Sequence, residues 1–424
     1  MHTYSSRILK FSISLSLLAS SALYATNGDM LIGVGTKARG MGGAGIGMSH
    51  CAESTLQNPA LITCTKGTSI SFGGTIFMPD VSAKMGQAPS KDSDADMSVI
   101  PGVAISHRIN DNWFVGIGMW GTAGMGVDYR DAEQSPRDSG NMHMVSNLQL
   151  MQFGTSLAYT TGVFGVAVTP ILQYGALDIN YQAFDGSNVG DGVAQDFGFG
   201  YNLGAYYDFK NGLTLGAVYK SKIDMEYKHQ LSRATQPFVD FGIFPHAMSD
   251  HLEQPSQIGI GFAYKFDRNA FAFDYKKIKW SDARGYKDFG WEDQDVYALG
   301  YQYKAEKWRF RAGYNHASQP IQEAPSGPAV IAPGNYAQAG GNARNLFNLL
   351  GFPATAEDHY TLGAGYEFTD HFYVDCAFVY APKTTTTMNT IVGLNPQTHE
   401  LYTGPTSVEH SQSSISLQLS YRIY

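Results

Sequence analysis

The stretch Phe197–Lys228 reads FGFGYNLGAYYDFKNGLTLGAVYKSKIDMEYK. Phe197, Phe199, Tyr201, Leu203, Ala205, Tyr207 and Phe209 alternate with Gly198, Gly200, Asn202, Gly204, Tyr206 and Asp208. After Lys210-Asn-Gly212 the alternation resumes, with Leu213, Leu215, Ala217, Tyr219, Ile223, Met225 and Tyr227 set against Thr214, Gly216, Lys220, Lys222, Asp224, Glu226 and Lys228. A period of two over so many residues is the signature of a β-strand with one apolar and one polar face. Two such strands joined by a three-residue turn make an antiparallel hairpin.

The pattern recurs along the chain, in Trp308–Tyr314 and Phe372–Tyr380 among others. A soluble sandwich also alternates, but these strands are long enough to cross a bilayer at a tilt, and aromatics gather toward the strand ends as interfacial girdles do. Backbone groups in lipid must all be paired, so a sheet there has to close on itself. The expected fold is therefore all-β, a 14-stranded antiparallel transmembrane barrel. Strand three is expected within 112–124, strand seven over 213–228, and the last two over 371–382 and 411–423. Short links at 110–112, 161–162, 210–212, 267–269, 305–306 and 370 all follow even-numbered strands, while long links follow odd ones. Outer-membrane barrels have short periplasmic turns and longer extracellular loops, which predicts both termini in the periplasm. Ile415, Leu417, Leu419, Tyr421 and Ile423 form a last amphipathic strand ending near an aromatic, Tyr424, similar to the signal read by the barrel-assembly machinery.

Residues 1–25 read as a secretory signal peptide: Arg7 and Lys10, an apolar Phe11–Leu18, then small residues up to Ala25. Its removal lowers the formal charge of −8 by two, and no basic run remains to recruit nucleic acid. Three cysteines are too few for a disulfide scaffold. In an oxidising compartment Cys51 and Cys64 are candidates to close a small loop, two free thiols being the other reading, and His50 beside them is a weak metal signal. No cofactor is called for. Gly40, Gly42 and Gly45 satisfy G-x-G-x-x-G, but neither the preceding strand nor the later acidic residue of a dinucleotide loop is present.

Those glycines need another use. A barrel of this size leaks unless filled, and residues 26–66 precede the first strand with glycines at 33, 35, 40, 42, 43, 45 and 47. Such a backbone turns freely and approaches a wall closely, so 26–66 is expected to be a plug and 67–424 the barrel. Here GMGGAGIGMSHCAEST followed by QNPALIT, with Asn58, Pro59 and Ala60 at its centre, resembles the hatch of the FadL family of outer-membrane transporters for long-chain fatty acids and other hydrophobic compounds. LTLGAVYKSKI (213–223), FDYKKIKWSD (273–282) and RFRAGYNHASQPI (309–321) are similar to that family's later strands, in order.

The resemblance implies capture of a hydrophobic molecule at an extracellular groove, passage to a lumen site, and lateral release beside a kinked third strand as the hatch rearranges. Fatty acids are the first candidate cargo, with aromatic or alkane hydrocarbons as the alternative. Capture candidates are Phe238, Phe241, Phe244, Leu346, Phe347 and Leu350 in the links 229–254 and 319–357. Lys220, Lys222, Arg309 and Arg311 are inward cations able to meet a carboxylate, and Gly121, Gly124 and Gly126 mark where strand three could open. The barrel is expected to act as a monomer, with outer-membrane lipid around it. Two other classes compete: a rim hydrolase, for which His246, Ser249, Asp250 and His251 supply composition only, and a porin or adhesin, which has no need of a plug.

Overall fold

The computed structural model describes residues 26–130 and 141–424; the signal-peptide reading of 1–25 falls outside them. Fourteen strands form the wall: β1 Thr68–Met85, β2 Ser98–Arg108, β3 Trp113–Asp128, β4 Val145–Thr160, β5 Phe164–Gln182, β6 Ala194–Asp208, β7 Leu213–Lys220, β8 Gln257–Phe266, β9 Asn269–Ile278, β10 Gln294–Ala305, β11 Trp308–Ala317, β12 Asp358–Glu367, β13 Phe372–Leu394 and β14 Leu401–Ile423. Each pairs antiparallel with its sequence neighbour. An unbroken ladder from Thr406↔Met85 to Ile423↔Thr68 joins β14 to β1 and closes the sheet.

The expected short links all sit at one end. The last long link does not form: β13 and β14 run on past the bulge between Ala381 and Thr384, leaving only 395–400 to connect them. The run Thr384–Thr387 favours this, because β-branched residues suit a pleated, half-buried strand: Thr384 and Thr386 meet Thr355 and Gln319, while Thr385 and Thr387 are exposed. β7 errs the other way and stops at Lys220, after which single bridges at Ile223↔Gln254 and Glu226↔His251 replace the ladder.

Outward side chains are apolar and open, as in Phe199, Ile260 and Leu362, which are 77%, 59% and 62% exposed. A water-soluble surface does not carry a continuous band of this kind. Paired rings such as Trp113–Tyr159, Phe271–Tyr301 and Trp308–Tyr366, with centroids 4.6–5.0 Å apart, ring the short-turn end. No helix among the described residues is long and apolar enough to cross a membrane, so any crossing is made by strands.

Residues 26–66 lie against the inner wall on many sides. Gly45 and Ile46 donate backbone N–H to Asp274 of β9 at 2.7 and 2.9 Å, Asn315 of β11 donates to the Gly42 carbonyl at 3.0 Å, and Asn58 donates to the Ala205 carbonyl of β6 at 3.1 Å. The glycine run has a steric cause. At Gly42, where φ is +67°, a Cβ would sit 2.5 Å from the Tyr314 carbonyl oxygen and 2.6 Å from that of Leu299. Cys51 and Cys64, 5.7 Å apart at Cα, are bonded and tie the turn Cys51–Leu56 to the turn Pro59–Cys64, while Cys376 is free and exposed.

Candidate functional site

The long-loop end is capped by two links. Helix α1 (Leu231–Asp240) and helix α2 (Gly340–Leu346), which continues as a wider turn through Gly351, pack their apolar faces together. Phe238 lies 5.2 Å from Phe347 and 5.6 Å from Phe244, ring to ring, and Leu346, Phe347 and Leu350 are buried. Four of the six expected capture residues, Phe238, Leu346, Phe347 and Leu350, thus hold the cap together. Phe241 with Phe238 lines a small apolar crevice, and Phe244 reaches the main groove. That groove, about 1200 Å³, has Ile243, Phe244 and Met248 on one side and Arg284, Lys287 and Arg344 on the other. Arg284 is committed to Asp224 and Glu253 at 2.6 and 2.8 Å, whereas Lys287 and Arg344 have no ion pair among the described residues.

Asp250, one of the rim residues, accepts from the N–H of His229 and Ser232 and so anchors the start of α1; His251 is bound to Asp224 at 2.9 Å. No hydrogen bond joins Ser249 to either histidine among the described residues.

Beneath the cap, Trp280, Tyr286 and Trp291 stack within 4.6–5.0 Å of one another, with Gly28 pressed against Trp280. Asp29 binds the Tyr286 hydroxyl and takes a hydrogen bond from Gln254 at 2.9 Å. Burial pushes the Asp29 carboxyl up to about 6 despite these bonds.

A lumen cavity of about 70 Å³ follows, lined by Met30–Val34 on one side and by Asn202, Lys220 and Lys276 among others. Lys220 has no ion pair among the described residues, and Lys276 donates to the Ile32 carbonyl at 3.3 Å. The other expected cations lie elsewhere. Lys222 falls past the end of β7, so it leaves the inner face and pairs with Glu253 at 3.5 Å. Arg309 and Arg311 sit near the short-turn end in ion pairs with Glu367 at 3.1 Å and Asp375 at 2.8 Å. Lys276 was missed, although Phe273 and Tyr275 facing out imply Asp274 and Lys276 facing in.

The third strand is distorted. The β2–β3 ladder runs from Arg108↔Phe114 to Gly102↔Trp120 and ends, while β3 keeps β4 through Asp128↔Val145 with a bulge between Gly121 and Ala123. The freed edge is taken by the plug: Met30 pairs with Ala123, and Gly124 donates to the Asp29 carbonyl at 2.9 Å. Gly121 faces Ile100 across the gap, where a Cβ would come within 2.6 Å of its methyl. Gly126 lies higher, its missing Cβ filled by the Ser146 carbonyl, so it serves the β3–β4 contact. Gly116 and Gly118 lie against Thr55, Leu56 and Ile62 of the plug.

A closed antiparallel barrel with a greasy exterior, filled from its own N-terminal segment, belongs to the class of outer-membrane β-barrels. The family model described as outer membrane protein transport protein (OMPP1/FadL/TodX) matches residues 16–330, and the chain belongs to that family. It is 24% identical to outer membrane protein P1 of Haemophilus influenzae, across 91% of this chain and 96% of that protein. It is 23% identical to the long-chain fatty acid transport protein of Escherichia coli O6:H1, across 66% of this chain and 76% of that one. Among solved structures it resembles a Pseudomonas aeruginosa FadL homologue (TM-score 0.69, 15% identity, 94% of this chain and 100% of that one). It also resembles the P. putida toluene transporter TodX (TM-score 0.65, 16% identity, 93% and 99%).

Proposed function

We propose that this outer-membrane barrel imports amphiphilic hydrophobic compounds, long-chain fatty acids first among them, with its short-turn end and both termini in the periplasm. The observation that carries this reading is the repeated placement, beside apolar surface, of cations that form no ion pair among the described residues. Lys287 and Arg344 face Ile243, Phe244 and Met248 in the outer groove, and Lys220 and Lys276 line the lumen cavity next to Met30–Val34. An alkyl chain leaves water at about 25 cal/mol per Å² of surface buried, and its carboxylate needs a partner wherever water is excluded. Capture then occurs in the groove, binding in the lumen cavity, and release sideways where β3 parts from β2. Residues 26–66 act as the hatch.

Uptake of labelled oleate and of 1-hexadecene by cells carrying this barrel as their one such transporter tests the reading. Oleate uptake that depends on the barrel, and falls in Lys220→Gln/Lys276→Gln while hexadecene uptake holds, is expected. Equal uptake with and without the barrel refutes it.

A further inference from the structure

The gap beside β3 contains a second, smaller cavity of about 20 Å³, bounded by Arg39 and Thr36 of the plug, Ile100 of β2, Trp120 and Gly121 of β3 and Gln418 of β14. It is separate from the lumen cavity, and the two share Leu31 and Gly33 as a common partition. One hatch segment, Met30–Gly35, therefore stands between the place where Lys220 and Lys276 wait and the place where the wall is open.

Arg39 is unusual there. It is 1% exposed, and its one side-chain hydrogen bond among the described residues runs from Nη2 to the Ser414 hydroxyl at 2.7 Å. Nε and Nη1 have no partner among the described residues, and no carboxylate lies within ion-pair distance of the guanidinium. Burial draws its pKa down to about 10, which leaves it a cation at neutral pH. Trp120 contributes its ring, which lies over Gly102, while its indole nitrogen points toward Gly118. A guanidinium donates and cannot accept, and a buried charge with no partner is costly. A site whose idle donors belong to one buried guanidinium is complementary to an oxyanion, and a volume of about 20 Å³ admits one oxygen atom, whether of water or of a head group.

We propose that Arg39 is an exit station for the cargo carboxylate: once the Met30–Gly35 segment moves, the head group passes from Lys220 and Lys276 to the guanidinium at the β2–β3 gap. The alkyl chain can then enter lipid through the wall while its charge is still held. This rests on the transport reading above and adds the residue that selects acids at the exit. It also gives the hatch segment a reason to move, since Lys276 must release the Ile32 carbonyl to hold a carboxylate instead.

The test uses the whole barrel in cells and compares initial uptake of oleate with that of neutral 1-hexadecene. Arg39→Gln should lower oleate uptake on the order of tenfold, as expected for the loss of a charged hydrogen bond. Hexadecene uptake and heat-modifiable migration on gels should be unchanged, and Arg39→Lys should recover most of the oleate rate. If Arg39→Gln slows both cargoes alike, or leaves oleate untouched, or is not rescued by lysine, the station does not exist and Arg39 merely seats the hatch. A wild-type barrel that moves neither cargo refutes the transport reading itself, and the inference falls with it.

Discussion

The plug meets the barrel with two chemically different faces. Toward β3–β6 it presents Leu56, Ile62, Thr55 and Ala60, against wall positions kept small by Gly116, Gly118, Gly154 and Gly204. Toward β14 and β1 it presents Thr36, Lys37 and Arg39, against a ladder of inward Gln412, Ser414, Gln418 and Ser420. The first face adheres chiefly by excluding water, joined by hydrogen bonds from Asn58 and Thr63 to Ala205 and Tyr206 of β6. The second is held by hydrogen bonds that water or a head group can replace at small net cost. On the transport reading proposed above, the first side holds while the second lets go.

The largest effect is expected at the gap, next to the releasing face. Gly121→Val with Gly124→Val places a methyl against Ile100 and stiffens the freed edge of β3. Cargo uptake should fall on the order of tenfold or more while heat-modifiable migration persists, because the β3–β4 ladder survives. Normal import by this variant would move the exit away from β3. Leu56→Ala attacks the adhering face and should cost about 2–4 kcal/mol as a buried cavity, read as a lower thermal midpoint and a rise in ion conductance across planar bilayers. An unchanged conductance would mean that the apolar face is not what keeps the plug in place.

A smaller effect concerns the tether at Asp29. Its carboxyl is raised to about 6 when docked, against 3.8 for an ordinary aspartate. Between these values the docked form takes up a proton that the free form does not, so docking strengthens as pH falls through 6 toward 4. The protection factors of Met30 and Leu31, which correct for the intrinsic pH dependence of exchange, should rise by about thirtyfold over that range, and Asp29→Asn should abolish the rise. Smallest of all, Gln418→Leu removes the neutral acceptor of the Thr36 N–H from the polar face and should cost about 0.5–1.5 kcal/mol. A loss as large as that of Leu56→Ala would erase the distinction between the faces.

Strands were legible wherever one face met lipid, because the alternation is imposed residue by residue, as in Phe197–Phe209. It fails at Lys220, where the letters keep alternating through Lys228 but the ladder has ended. Alternation persists there because Ile223, Met225 and Tyr227 still bury one side, now against the cap. The charged site was less readable for a different reason. Arg311 finds Asp375 across 64 residues, and only the β11–β12–β13 register puts them together, so a list of inward cations cannot say which are spent. Arg39 lay inside a glycine run whose conspicuous property was backbone freedom. Nothing in its neighbours' identities marks it as unpaired, since the missing carboxylate is a fact about three dimensions.

The ladder that closes the sheet links the first strand to the last, and the polar side of the plug bonds to that same last strand: Thr26 to Gln412, Arg39 to Ser414, Thr36 to Gln418. Residues 26–66 precede every strand of the wall, yet the partners of their polar side lie on the last one. That side of the plug cannot lock before β14 is in place, so its locking accompanies closure of the wall. Protease resistance at Arg39 and pairing of Thr68 with Ile423 should consequently arise together during assembly, so that a barrel stalled one strand short displays a plug that can still be cut.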